Sequence, residues 1–183
     1  MLMNHNKIEV LLVEDNPAEI RLIDEVFNTF QITNKLIHVS DGNEAINYLY
    51  KKGKYKNCQN PSLILLGLRL PKMDGRELLK VIKKDNNLKV IPVIMLIDSS
   101  YEKDINESYR NGASAVIIKP CDYDGYGELI HSLEDFWINK TQLPKTTLIR
   151  TPTEHSPPPA TARSARSPAP GAHRPAPAAS LAW

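Results

Sequence analysis

The chain has 183 residues, 42% hydrophobic and 24% charged, with 23 Lys and Arg against 21 Asp and Glu, 14 Pro and 2 Cys. That length suits one ordinary domain plus an appendage. Residues 1–150 hold 20 basic and 20 acidic side chains, whereas residues 151–183 hold 3 Arg and 1 Glu, so the body carries no net charge that would draw it to nucleic acid or a membrane surface. No apolar run reaches the roughly 18 residues of a membrane-spanning helix. The start, Met1-Leu2-Met3-Asn4-His5-Asn6, lacks the charged-then-apolar build of a secretory signal, and a cytoplasmic protein is expected. Cys58 and Cys121 form no Cys-x-x-Cys pattern, and no two histidines stand at metal-ligand spacing.

Residues 1–6 read as an N-terminal extension. From Lys7 the chain alternates apolar runs with helical patterns, beginning with Ile8–Val13, apolar enough for a strand buried on both faces. Glu14-Asp15 ends it. Asn16-Pro17-Ala18-Glu19 then offers an N-cap, a proline at the first helical position and a capping glutamate, with Ile20, Ile23, Phe27 and Phe30 at helical spacing. The same capping pattern recurs at Asp41/Glu44, Asp74/Glu77 and Ser99/Glu102, each pair after an apolar run: Leu36–Val39, Leu63–Leu66 and Val93–Ile97. A fifth run, Ala115–Ile118, precedes a last helix from about Asp122 to Asn139. Gly53 and Gly112 stand where the second and fourth helices should stop. In the last helix, Leu129, Leu133 and Phe136 form the stripe expected to face the sheet, with Ile130, Trp137 and Ile138 on its flanks. Five strands alternating with five helices predict an α/β domain, a parallel sheet covered on both faces.

After Leu143-Pro144 the composition changes. Residues 151–183 hold 8 Pro and 9 Ala and no Ile, Val, Lys or Asn, too little bulky apolar surface to offset the entropy of ordering. Residues 145–183 are read as a disordered tail, of a composition so unlike the body that a non-native extension is the favoured origin.

In an alternating parallel sheet, ligands bind beyond the carboxyl ends of the strands. Here those ends carry Glu14-Asp15, Gly67, Ile97-Asp98-Ser99 and Lys119-Pro120. Adjacent carboxylates at a strand end suit a hard divalent cation such as Mg²⁺. They also argue against a flavin or nucleotide phosphate, which needs an anion cradle at that point.

The segments Val10-Leu-Leu-Val-Glu-Asp-Asn-Pro, Pro61-Ser-Leu-Ile-Leu-Leu, Leu70-Pro-Lys-Met-Asp-Gly-Arg-Glu, Ile91-Pro-Val-Ile-Met-Leu and Lys119-Pro120 carry a resemblance. The run from Lys7 to about Pro144 resembles the receiver domain of two-component response regulators, closest to the stand-alone regulators paired with phytochrome-type histidine kinases. The resemblance implies a flavodoxin-like (CheY-like) doubly wound sheet of order 2-1-3-4-5 and a signalling domain rather than an enzyme. It further implies that Glu14 and Asp15 hold Mg²⁺ with the backbone carbonyl of Arg69, that Lys119 contacts the phosphoryl group, and that Pro120 follows through a cis peptide. It implies a histidine kinase as partner, and homodimerisation through helix 4, strand 5 and helix 5, where Tyr101, Ile105 and Tyr109 supply apolar surface.

Two positions depart from that pattern. Gly67 stands where the family places its phosphoacceptor aspartate, and Ile97 stands where a Thr or Ser hydroxyl bonds the phosphoryl group. Val116 replaces the usual aromatic residue three positions before the lysine. Asp98, one residue past the lost hydroxyl, and Asp74, near the start of helix 3, are the candidate substitutes; alternation along a strand turns neighbouring side chains to opposite faces, so Asp98 reaches the crevice only through a loop conformation. The resulting expectation is a degenerate or inactivated receiver that works through protein contacts. The alternative is a working phosphoacceptor regulator that uses a substitute carboxylate.

Overall fold

The strands form where the apolar runs lie and the helices where the caps lie. In the computed structural model, which describes residues 8–29, 35–98 and 100–144, β1 (Glu9–Val13), β2 (Lys35–Val39), β3 (Leu63–Gly67), β4 (Val93–Ile97) and β5 (Ala115–Ile118) alternate with five helices. These are α1 (Pro17–Thr29), α2 (Gly42–Leu49), α3 (Gly75–Lys84), α4 (Glu102–Arg110) and α5 (Tyr123–Leu133). A 3-10 turn, Gly53–Tyr55, follows α2, and a π-helical segment, Glu134–Lys140, prolongs α5. All pairings are parallel and the order is β2-β1-β3-β4-β5, the CheY-like, flavodoxin-like winding. The N-terminal extension, Phe30 and the tail fall outside the described residues.

Every residue of β1, β3 and β4 is buried. Alternation divides them between two cores. Leu11, Val13, Ile64, Leu66, Met95 and Ile97 meet α2 and α3 through Ala45, Leu49, Leu78 and Ile82 on one face. Val10, Leu12, Leu63, Leu65, Ile94 and Leu96 meet α1 and α5 through Ile23, Phe27, Ile130 and Leu133 on the other. Each fully covered Leu or Ile contributes roughly 1.5–3 kcal/mol relative to exposure. The edge strand β5 is only partly covered, and Ile118 is exposed.

Local signals set most boundaries. Asp41 caps α2 through the Glu44 amide at 2.7 Å, Asp74 caps α3 through the Arg76 amide, and Asn16 Oδ1 accepts from the Ala18 amide ahead of α1. Gly112 ends α4 as expected: at φ +94°, its amide reaches Tyr109 O while that of Ala113 reaches Ser108 O.

Three expectations fail. The residue in the left-handed position after α2 is Lys51 (φ 57°), whose amide and that of Lys52 return to Tyr48 O and Asn47 O, so Gly53 belongs to the following turn. The cap position of α4 is Tyr101, with no side-chain bond, and the expected cap Ser99 lies outside the described residues. In α5 the buried stripe is Tyr126, Ile130 and Leu133, with Leu129 half-buried and Phe136 exposed. Tyr126, Ile130, Leu133 and Trp137 stand at i, i+4, i+7 and i+11, one continuous helical stripe, and so Trp137 rather than Phe136 packs against the α1/α5 core.

The loop from β3 into α3 folds back tightly, and a Cβ on Gly75 would lie 2.1 Å from the Gly67 carbonyl oxygen and 2.9 Å from that of Leu68. Because both obstacles are backbone, Gly75→Ala should lower stability by about 2–3 kcal/mol in a denaturant melt. A change under about 0.5 kcal/mol would contradict this packing.

Candidate functional site

The strand ends bring four of the predicted residues to one crevice. Register aligns Val13 with Leu66, Gly67 with Leu96 and Ile97 with Ile118, so the residues that follow β1, β4 and β5 emerge beside one another above Gly67. The Lys119 amide donates to Ile97 O at 2.8 Å and the Glu14 amide to Val39 O at 3.1 Å, which extends the sheet by one residue at both places.

Lys119, its side chain only 10% exposed, is the hub. Its Nζ stands 2.9 Å from Glu14 Oε2, 2.8 Å from Glu19 Oε2 and 3.2 Å from Asp98 Oδ1. The second Glu14 oxygen, Oε1, accepts the Asp15 and Asn16 amides at 3.1 Å each. Glu19 also takes a hydrogen bond from Asn16 Nδ2 at 2.9 Å and one from the buried Tyr126 hydroxyl at 3.2 Å. One ammonium therefore ties β1, α1, β4 and β5 together.

Burial dominates the electrostatics here. It pushes the Glu14 carboxyl above its ordinary range, against the pull of Lys119 and the Asn16 amide. Burial works against the charge on Lys119 too, but the bonds to Glu14 and Glu19 outweigh it and hold the ammonium well above the usual lysine range. Tyr126 is raised by burial and by the Glu19 charge.

Gly67 is buried at the floor of the crevice. A Cβ placed on it would meet Glu14 Oε2 at 2.9 Å, Val13 O at 3.2 Å and Leu70 Cδ2 at 3.3 Å. Ile97 is fully buried in the α2/α3 core, with Val116 packed against the same cluster. Asp15 and Arg69 are exposed at the rim. The Lys119–Pro120 bond is not cis, a correction to the expectation, as no described peptide bond is.

Asp98 takes the loop conformation that brings it to the crevice. It lies in a bend beyond the end of β4, where strand alternation no longer governs, and so its carboxylate turns back to Lys119. Asp74 stays away, engaged with the Arg76 amide and guanidinium. Two members of the site carry no signal for it in the sequence: the pattern marks Glu19 only as a capping residue, and Tyr126 lies 107 residues from it.

The crevice supplies the oxygen donors a hard cation takes. Glu14 Oε2, buried and paired with Lys119 Nζ at 2.9 Å, is the atom for which such an ion would compete. Among the described residues, though, no three His, Cys, Asp or Glu side chains gather for a metal, and Lys119 already stands where it neutralises Glu14.

Lys119→Met would strand a buried Glu14 charge and should lower stability by about 2–4 kcal/mol at pH 7. Between 4.5, the ordinary value for Glu14, and its raised folded value, the folded state binds more protons than the unfolded chain. Stability from this group therefore rises as pH falls through that window, and the Lys119→Met deficit should shrink there. A deficit constant from pH 7 to 4, measured by urea melts, would contradict this electrostatic origin.

Residues 10–131 match the response regulator receiver domain family. The chain is 40% identical over 135 residues to the response regulator Rcp1 of Synechocystis, covering 74% of this chain and 92% of Rcp1. It is 33% identical over 136 residues to the probable methanogenesis regulatory protein FilR2 of Methanothrix harundinacea, covering 74% and 86% of the two chains. Among solved structures, the phosphorylated cyanobacterial phytochrome response regulator RcpA superposes with a TM-score of 0.73 at 41% identity, over 76% of this chain and all of that one. The Mn²⁺-bound form of Rcp1 gives 0.70 at 39%, over 75% and 99%. With the sheet order and strand-end crevice in agreement, the chain belongs to the response regulator receiver domain family.

Proposed function

We propose that this chain is a degenerate receiver of two-component signalling that takes no phosphoryl group at residue 67 and works through protein–protein contacts. The observation that carries it is Gly67 at the floor of the crevice: the position offers no oxygen to a phosphoryl donor, and Ile97 beside it offers no hydroxyl. Lys119, the expected phosphoryl contact, is engaged by carboxylates instead. Glu14 and Asp15, with the Arg69 carbonyl, hold a divalent cation weakly, one carboxylate short of a full set. The likeness to a cyanobacterial phytochrome response regulator supports a phytochrome-type histidine kinase as partner, and a cytoplasmic location is part of the same reading. No helix among the described residues is long and apolar enough to cross a membrane.

One observation favours a second reading. Asp98, 46% exposed and 3.2 Å from Lys119, is a carboxylate open to a donor, so a substitute acceptor would be there. A single experiment separates the two: incubation with acetyl phosphate and Mg²⁺, followed by mass spectrometry. The unaltered chain should stay unmodified, and Gly67→Asp with Ile97→Thr should gain one phosphoryl group at residue 67. Near-stoichiometric modification of the unaltered chain, lost in Asp98→Asn, would establish the substitute instead.

The contact surface proposed is that of α4, β5 and α5, where Tyr101, Tyr109 and Ile118 are exposed at 69%, 51% and 50%. Clustered apolar exposure of this kind marks an interface more often than a free surface. Pairing of two copies here should be independent of acetyl phosphate, since residue 67 cannot bias it. Sedimentation equilibrium of the full chain should give a dimer at tens of micromolar that Ile118→Lys dissociates; a monomer before substitution would rule this surface out as a self-interface.

A further inference from the structure

We propose that Glu14 occupies the place left by the missing acceptor side chain, and that by doing so it masks the divalent-cation site of this chain. The proposal deepens the reading of Gly67 as the vacant acceptor position. It rests on one piece of geometry: Glu14 Oε2 lies 2.9 Å from where a Cβ on Gly67 would stand, closer than such atoms approach. A side chain at residue 67 and the present Glu14 position are therefore mutually exclusive.

Three further contacts hold Glu14 there. Lys119 Nζ pairs with Oε2 at 2.9 Å, and the Asp15 and Asn16 amides bind Oε1. With Glu14 only 2% exposed, these contacts act in a site of low dielectric, where a charge leaves its partner reluctantly. Glu19 and Asp98 complete the neutralisation of Lys119 from the other sides. The ammonium is thus the resident cation of the crevice. A divalent ion must draw Glu14 away from Lys119 before it gains that carboxylate, and the glycine weakens metal binding twice. It removes one oxygen ligand, and it opens the space in which Glu14 is held from the metal.

The consequence runs against ligand counting. Gly67→Ala adds no oxygen, yet its methyl group forces the Glu14 carboxylate to shift from its present position. The obstacle is the end of a side chain, which can move, while the contacts to Val13 O and Leu70 Cδ2 are tight but longer, at 3.2 and 3.3 Å. Full-length Gly67→Ala should therefore bind Mn²⁺ more tightly than the unaltered protein, measured by electron paramagnetic resonance of the free ion. Mn²⁺ should also release Lys119 in the unaltered protein. Acetylation of Lys119 by acetic anhydride, read by mass spectrometry, should rise several-fold on adding Mn²⁺, while acetylation of the exposed Lys103 stays constant. Glu14→Gln should raise Lys119 acetylation without metal and abolish the Mn²⁺ response. Equal or weaker Mn²⁺ binding by folded Gly67→Ala would overturn the proposal, as would Lys119 acetylation unchanged by Mn²⁺ in the unaltered chain. Should Gly67→Ala fail to fold, the acetylation arm decides alone. None of these readouts involves phosphoryl transfer, so a substitute acceptor at Asp98 would overturn the functional reading and leave this test intact.

Discussion

The central strands β1, β3 and β4 are buried along their whole length on both faces, and the rest of the molecule follows from that constraint. A charged side chain is buried in such a strand only when it is paired, as Glu9 at the start of β1 is with Lys35 and the Tyr48 hydroxyl. The polar groups of the crevice come from the first residues beyond the strands. Parallel pairing then places those residues at one end of the sheet, so Glu14, Asp98 and Lys119 come together although more than a hundred residues separate the first from the last.

The floor of the crevice is Gly67, and the charged groups around it satisfy one another. Lys119 meets Glu14 and Glu19 within 2.9 Å, and Tyr126 anchors Glu19 from α5. In the proposed reading, a phosphoryl group reaching this ammonium competes with carboxylates of the same sign.

The β3–α3 connection shows how closely this end of the fold is packed. Gly75 lets α3 start directly on the Gly67 carbonyl. Gly42 permits a similar approach by Met73, and the largely buried Asp41 pairs with Lys72 at 2.6 Å in addition to capping α2. The loop that frames the crevice is thus fixed by backbone contact and an ion pair, while β5 and α4 on the far side retain exposed apolar residues.

Period and capping in the sequence determined the alternation of strands and helices, the apolar runs that make both cores, and the strand-end identities of Glu14, Asp15, Gly67, Ile97 and Lys119. These are local properties, written in neighbouring residues. Tertiary structure decided what no local pattern holds. Only the fold brings Tyr126 and Lys119 to Glu19, and Asp98 into the crevice through a bend outside the reach of strand alternation. Only packing selects Tyr126, Ile130, Leu133 and Trp137, rather than Leu129 and Phe136, as the buried stripe of the last helix. The seating of Glu14 over Gly67 belongs to the same class, because the space above a glycine is a property of what packs around it.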